Sequence, residues 1–235
     1  MAELVETVPA VVLAVYAHPD DPEVACGGTL ARWAAKGSTV HLVIVCAGEK
    51  GSTDPDADPG ELAARRADEV AAAAKVLGLA SHQILGYPDG EVSDSAELRG
   101  SLVEAIRRIR PDTVVGPDPT AAFFGRSYVN HRDHRAVGWA VLDAVAPAAR
   151  MPLYFPGGGQ PHRVAQVFLS GTLEPDAFVD IGPALDTKTK ALDCHRSQLG
   201  GAGEVLATAI TQRAEDAGRR AGVRYAEAFR LLTPS

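Results

Sequence analysis

Two patterns of hydrophobic residues alternate along this chain. Short continuous apolar runs rich in β-branched residues are separated by longer stretches in which apolar positions recur every three or four residues. The first run, residues 11–17 (VVLAVYA), is bounded by Pro9 and by His18-Pro19. Such a run predicts a central parallel strand covered on both faces. Residues 27–36 (GGTLARWAAK) predict a helix stopped by Gly37, and residues 40–47 (VHLVIVCA) a second buried strand. Strand, helix and strand within residues 11–47 make a βαβ unit, which closes right-handed into a parallel sheet.

The alternation continues. Residues 61–77 are alanine-rich and predict a helix stopped by Gly78, on which Arg65 and Arg66 read as solvated charges paired with Asp68 or Glu69. A short strand over 82–87 leads into the turn Pro88-Asp89-Gly90. An amphipathic helix over 96–108, broken at Arg110-Pro111-Asp112, precedes a fourth strand over 113–116. A helical stretch opens at Asn130 and runs to about residue 149, and the Pro- and Gly-rich 147–161 segment predicts irregular backbone. Strands over 164–169 and 178–181 form either a lesser sheet or an extension of one edge; helices over 183–195 and 204–221 follow, and 225–232 closes the pattern. The expectation is an α/β layered fold with a mostly parallel central sheet and a short-strand C-terminal region. With no internal repeat or long break, one domain is expected over residues 1–235.

Composition narrows the function classes. A net charge of −7, no basic run and 6% aromatic residues argue against nucleic acid as the main partner. No stretch of about 18 apolar residues occurs, so no membrane span is expected. The first ten residues, MAELVETVPA, carry acidic side chains and no basic region, so no secretory leader is expected. Three cysteines without a CxxC pair fit reduced thiols in the cytoplasm, and Cys26 reads as a small buried hydrophobe.

The polar residues that follow the first strand change the picture more. His18, Asp20, Asp21 and Glu23 crowd into six residues at a strand's carboxyl end, where open α/β sheets bind ligands. Aspartate capping of the next helix is the plain alternative. Four ionisable groups at the end of a buried strand exceed what capping needs, because packed carboxylates repel and resist desolvation. After the fourth strand, Asn130-His131-Arg132-Asp133-His134 puts two histidines three apart on one helix face. His18, Asp21 and His134 together make a two-His, one-carboxylate set, a catalytic zinc arrangement when water completes it. Asp20 would accept the water's proton and His131 would donate one to a leaving amine. The same ligands with open positions could hold Fe(II) or another divalent metal, although Fe(II) oxygenases of that kind usually use a β-barrel. A nucleotide-binding module is disfavoured, since carboxylates replace a GxGxxG turn after the first strand.

AHPDDPE (17–23) with Gly27-Gly28, and NHRDH (130–134), resemble the two signature motifs of the LmbE-like/PIG-L metal-dependent N-deacetylases. The similarity extends to GEKG (48–51), the helix with Arg66 and Glu69, LGYPDG (85–90), RPD (110–112) and HRSQ (195–198). The resemblance implies a Rossmann-like three-layer fold and hydrolysis of an N-acyl, chiefly N-acetyl, amide of an aminosugar-type molecule. A non-sugar natural-product or thiol-conjugate amide is the alternative substrate. It implies His18, Asp21 and His134 as zinc ligands, Asp20 as general base, and His131 as acid or stabiliser of the tetrahedral intermediate. Asp133 would orient or tune a histidine, and Arg66, Asp89 and Tyr128 would contact substrate, Tyr128 by polarising the carbonyl. Glu23, set off from the Asp pair by Pro22, would support the elbow. His195 reads as a dipole interaction at a helix C-terminus. The partner implied is a small N-acylated molecule, and a homo-oligomer is compatible with the family.

Overall fold

In the computed structural model, which describes residues 3–199 and 203–234, the first apolar run forms a strand that feeds two cores at once. After β1 (Glu3–Leu4), β2 (Val11–Tyr16) sends Leu13 and Val15 to one face and Val12, Ala14 and Tyr16 to the other. Side chains in a strand alternate with period two, so a run apolar at every position can bury both faces. The polar residues behind it fold into a short helix of their own, α1 (Asp21–Ala25), ahead of the helix expected from Gly27. Pro22 in its first turn favours this, since proline's fixed φ suits the start of a helix.

From there α2 (Gly27–Ala35), β3 (Thr39–Ile44), α3 (Pro59–Leu77) and β4 (Ser81–Ile84) follow in order. The chain then crosses back through α4 (Ala96–Ile109) to β5 (Thr113–Pro117), on the opposite side of β2. A small hairpin, β6 (Phe123–Phe124) and β7 (Tyr128–Val129), leads into α5 (Arg132–Val145). The later elements are β8 (Gln166–Ser170), β9 (Ala177–Asp180), α6 (Leu185–Leu192), α7 (Arg196–Leu199), α8 (Gly203–Ala221) and β10 (Ala226–Leu232). Eight strands form one sheet in the order β1-β9-β10-β8-β5-β2-β3-β4. Strands β8, β5, β2, β3 and β4 run parallel, and β10 lies antiparallel between β8 and β9. The late strands therefore extend the main sheet and make no second one. One core packs under α4 and α5 and the other under α2, α3 and α8, the three-layer Rossmann-like arrangement.

Two helices end earlier than expected. The stretch expected to reach residue 149 stops at Val145, before Pro147, which has no N–H to continue it. The helix expected over 183–195 stops at Leu192, which frees His195 from the C-terminal position assigned to it. The irregular segment after α5 is gathered by buried Arg107 of α4. Its guanidinium donates to the carbonyls of Ala148, Ala149, Met151, Tyr154 and Phe155 at 2.8–3.0 Å.

Helix α2 has no side-chain cap of its own. Buried Glu227 of β10 supplies one, accepting from the backbone N–H of Gly28 (3.0 Å) and Thr29 (2.7 Å), and Lys188 of α6 neutralises it. Gly28 is needed here, because a Cβ would stand 2.8 Å from the Ile181 side chain. Strand order reverses between β2 and β5, so the crevice at their carboxyl ends is a topological switch point.

Candidate active site

Both polar motifs meet in that crevice. His18 lies just beyond β2, Asp20 and Asp21 at the start of α1, and His131 and His134 at the start of α5. His18 Nδ1 is 3.1 Å from His134 Nε2 and 3.4 Å from Asp21 Oδ2, and His134 Nε2 is 3.1 Å from Asp21 Oδ1. Three ligand atoms bonded at about 2.0–2.1 Å in a tetrahedron stand about 3.3 Å apart. The triangle formed by these three residues fits a zinc-sized ion.

What lies behind the triangle sets the tautomers. Asn130 Oδ1 is 2.9 Å from Nδ1 of His134, so Nδ1–H donates to Asn130 and Nε2 keeps its lone pair. Asn130 is itself fixed by donating from Nδ2 to the Ala121 carbonyl (2.8 Å). His18 turns Nε2 toward Asp89 Oδ1 (3.2 Å) and the fully buried Asp133 Oδ2 (3.6 Å), which leaves Nδ1 for a cation. Carboxylates placed behind a ligating imidazole are the usual way of orienting it and raising its basicity. The Cys46 thiol, buried beside His18, donates to the Ala17 carbonyl (3.0 Å) and completes a second set of metal-competent groups, His18, Cys46, Asp89 and Asp133.

Charges in the crevice follow from this packing. Burial pulls the His18 imidazole down, but hydrogen bonds with Asp21, Asp89 and Cys46 outweigh it and hold it above its ordinary value. Burial raises the Asp21 carboxyl, yet the His134 charge and hydrogen bonds from His134 and His18 keep it well below the carboxylate range. A metal held here would need Nδ1 of His18 free of its proton. Asp20 is pushed up by burial and then by Asp21, with His195 and Gln198 acting against the rise. The His131 imidazole is lowered by burial and then by His18, which favours its neutral form. Its Nδ1 accepts from the Asp133 N–H (3.3 Å), so the ring proton sits on Nε2.

The remaining expected residues fall into two groups. Asp89 joins the cluster through His18, and its turn is interlocked with the loop after β3. Its N–H donates to Glu49 (2.8 Å), its carboxylate accepts from the Lys50 N–H (3.1 Å), and the Gly90 N–H donates to Asp133 (2.7 Å). Arg66 corrects the sequence reading: it is buried, not solvated, and its guanidinium donates to the Gly48 and Gly51 carbonyls, the latter at 2.9 Å. Gly48 has φ +71°, and a side chain there would run into that guanidinium. Tyr128 is not drawn into the cluster. It is 51% exposed on β7, with its ring tilted against Phe124 at 5.9 Å. His195 departs from its expected dipole role too: it is fully buried with Nε2 3.2 Å from Glu23 Oε2. Asn130, Glu49 and the Glu23–His195 pair are the partners that sequence reasoning missed. For Asn130 a signal existed, since it stands four residues before His134 at a helix N-terminus.

A mostly parallel α/β sheet with a histidine–carboxylate triangle at its switch point defines an α/β protein with a metal-competent crevice. The chain belongs to the PIG-L family: the family described as "PIG-L: GlcNAc-PI de-N-acetylase" matches residues 13–145. Across 226 residues it is 32% identical to the diacetylchitobiose deacetylase of Thermococcus kodakarensis, covering 94% of this chain and 82% of that one. It is 35% identical to a 1D-myo-inositol 2-acetamido-2-deoxy-alpha-D-glucopyranoside deacetylase of Saccharopolyspora erythraea over 66% of this chain and 62% of that enzyme's length. The N,N'-diacetylchitobiose deacetylase of Pyrococcus horikoshii, solved with an inhibitor, superposes with a TM-score of 0.88 at 31% identity, covering 96% of this chain and 84% of that one. These relatives are deacetylases, amide hydrolases, and the chain is an enzyme of that kind. No helix among the described residues is long and apolar enough to cross a membrane.

Proposed function

We propose that this enzyme removes the acetyl group from an N-acetylated aminosugar with a divalent metal, zinc by its donor set. The observation that carries the reading is the His18–Asp21–His134 triangle with Asp20 beside it. Two neutral imidazoles and one carboxylate suit zinc and leave a coordination position open. Zinc held by these three residues would supply Lewis acidity and bring the pKa of its water down to about 7. The protein's own residues do the rest. Asp20 takes the proton of the attacking water and passes it on to the departing amine. His131, neutral and carrying its proton on Nε2, offers an N–H to the carbonyl oxygen as charge builds there. Asp133 and Asp89 hold His18 by Nε2, and Asn130 holds His134 by Nδ1. Arg66 acts through the 48–51 loop that it clamps, and exposed Tyr128, two residues before Asn130, is assigned as a contact for the substrate.

The substrate class rests on the relatives. Diacetylchitobiose and the inositol 2-acetamido-2-deoxyglucoside share an acetamido sugar, and that unit is the substrate proposed here. The test is metal content by elemental analysis together with amine release from a panel of N-acetylated sugars. Release that a chelator abolishes and zinc restores supports the reading. A metal-loaded protein that releases amine only from non-sugar amides keeps the chemistry and moves the substrate. A protein that takes up no metal at the triangle overturns it.

A further inference from the structure

Strand β5 ends at Pro117, and the next residue is a carboxylate held inside the protein: Asp118 is 1% exposed. Its Oδ1 accepts twice from Thr120, from the backbone N–H at 2.9 Å and from Oγ1–H at 2.6 Å. Its Oδ2 is buried with no hydrogen-bond partner among the described residues. Burying a carboxylate costs desolvation, and half of this one's acceptor capacity goes unused. A serine closes a turn of this kind without a buried charge. What an ionised acceptor adds is shorter and stronger bonds, and so a stiffer turn.

The turn leads to His134 by printed steps of bonding. The Thr120 carbonyl accepts from the Ala122 N–H (3.0 Å). The Ala122 carbonyl accepts from the Asn130 N–H (2.9 Å), and the Ala121 carbonyl from Asn130 Nδ2 (2.8 Å). Asn130 Oδ1 then meets Nδ1 of His134 at 2.9 Å. The near end of the turn is anchored on two sides. The Asp118 N–H donates to the Ser170 carbonyl of β8 at 2.8 Å. Pro117 and Pro119 lie against α5 at Gly138, where a Cβ would stand 2.6 Å from the Pro117 carbonyl and 2.9 Å from the Pro119 ring. Gly138 follows His134 by four residues, so the two share a helix face. The turn that fixes Asn130 is thus docked on the helix that carries His134, one turn away.

We propose that Asp118 is a positioning residue for His134, locking the 118–122 turn whose carbonyls hold Asn130 so that Asn130 holds the ring. This rests on the reading of His134 as a metal ligand. The experiment measures zinc affinity by competition titration in wild type, Asp118→Ala, Asp118→Asn, Asn130→Ala and the Asp118→Ala/Asn130→Ala double variant. Asp118→Ala is expected to weaken zinc binding about tenfold, the low end for an outer partner of a ligand. Asp118→Asn, whose Oδ1 still accepts both bonds, keeps most of the affinity. In the Asn130→Ala background Asp118→Ala is expected to cost nothing further, because a residue acting only through Asn130 has nothing left to position. The cobalt-loaded proteins give a spectroscopic signature of ligand geometry, with visible bands expected to shift in Asp118→Ala as they do in Asn130→Ala. A merely structural role would add its loss to that of Asn130→Ala and leave those bands in place.

Wild-type zinc affinity in Asp118→Ala, additive losses in the double variant, or unmoved cobalt bands overturns the proposal. Amide hydrogen exchange reads the turn without a metal: the amides of Ala122 and Asn130 are expected to exchange faster in Asp118→Ala. Unchanged exchange there overturns the proposal as well. Should Asp118→Ala not fold, Thr120→Val removes the 2.6 Å bond alone and is held to the same directions. A wild type that takes up no zinc overturns the metal reading, and the role of Asp118 with it. That failure is distinct from a wild type that binds zinc while Asp118→Ala binds it equally well.

Discussion

Asn130 Oδ1 accepts the Nδ1–H of His134 at 2.9 Å, and this single bond decides which nitrogen of His134 faces the crevice. Removing it lets the ring rotate and change tautomer. Loss of such an outer partner typically costs about 10–100-fold in metal affinity. Asn130→Ala is therefore expected to weaken zinc binding by about that factor in a competition titration, and His134→Ala to abolish stoichiometric binding. Unchanged affinity in Asn130→Ala would show that the ring is held by other contacts.

Asp20→Asn keeps the shape of the elbow and removes the proton acceptor. The variant is expected to bind zinc fully while kcat falls by about 10²–10⁴-fold. Wild-type turnover would remove Asp20 from the mechanism.

His131 offers an N–H in its neutral form, so a side chain that keeps a donor should keep part of the function. His131→Gln is expected to retain more of kcat than His131→Ala. Equal losses in the two would favour a role as proton donor, which an amide cannot fill.

Arg66 carries two carbonyls of the loop after β3. Arg66→Ala leaves the buried Gly48 carbonyl without its donor, at a cost of about 1–3 kcal/mol, while the exposed Gly51 carbonyl turns to water. Lower stability in urea should come with faster proteolytic nicking near residues 48–57 and reduced kcat/KM. Undiminished kcat/KM would mean that the loop's order does not matter to the site.

Arg107→Ala removes the donors of five carbonyls at once, and about 3 kcal/mol of destabilisation is expected on the scale for buried polar groups. Urea denaturation measures it. A loss under about 1 kcal/mol would show that water replaces the guanidinium.

The parts of the fold readable in the sequence were those set by local pattern. The β2–α2–β3 unit followed from continuous apolar runs and a Gly stop, and His18, Asp21 and His134 from their placement at strand and helix ends. Parts set by distant partners were not readable. Two-residue strands such as β6 and β7 have no pattern of their own and exist by pairing with each other. Arg66 was misread because helix periodicity tells which residues share a face and not that a loop will cover it. His195 was misread because its partner Glu23 lies at the opposite end of the sequence, and no spacing rule connects them.

The Glu227 cap on α2 spans 199 residues of sequence. A nascent chain that has emerged only as far as α7 already has both catalytic motifs, yet the amides of Gly28 and Thr29 still lack their acceptor. Helix α2 directly follows the elbow that carries His18 and Asp21, and its cap arrives with β10, which lies between β8 and β9. Synthesis order thus places the acceptor for these two amides on β10, the last of the described strands to be made.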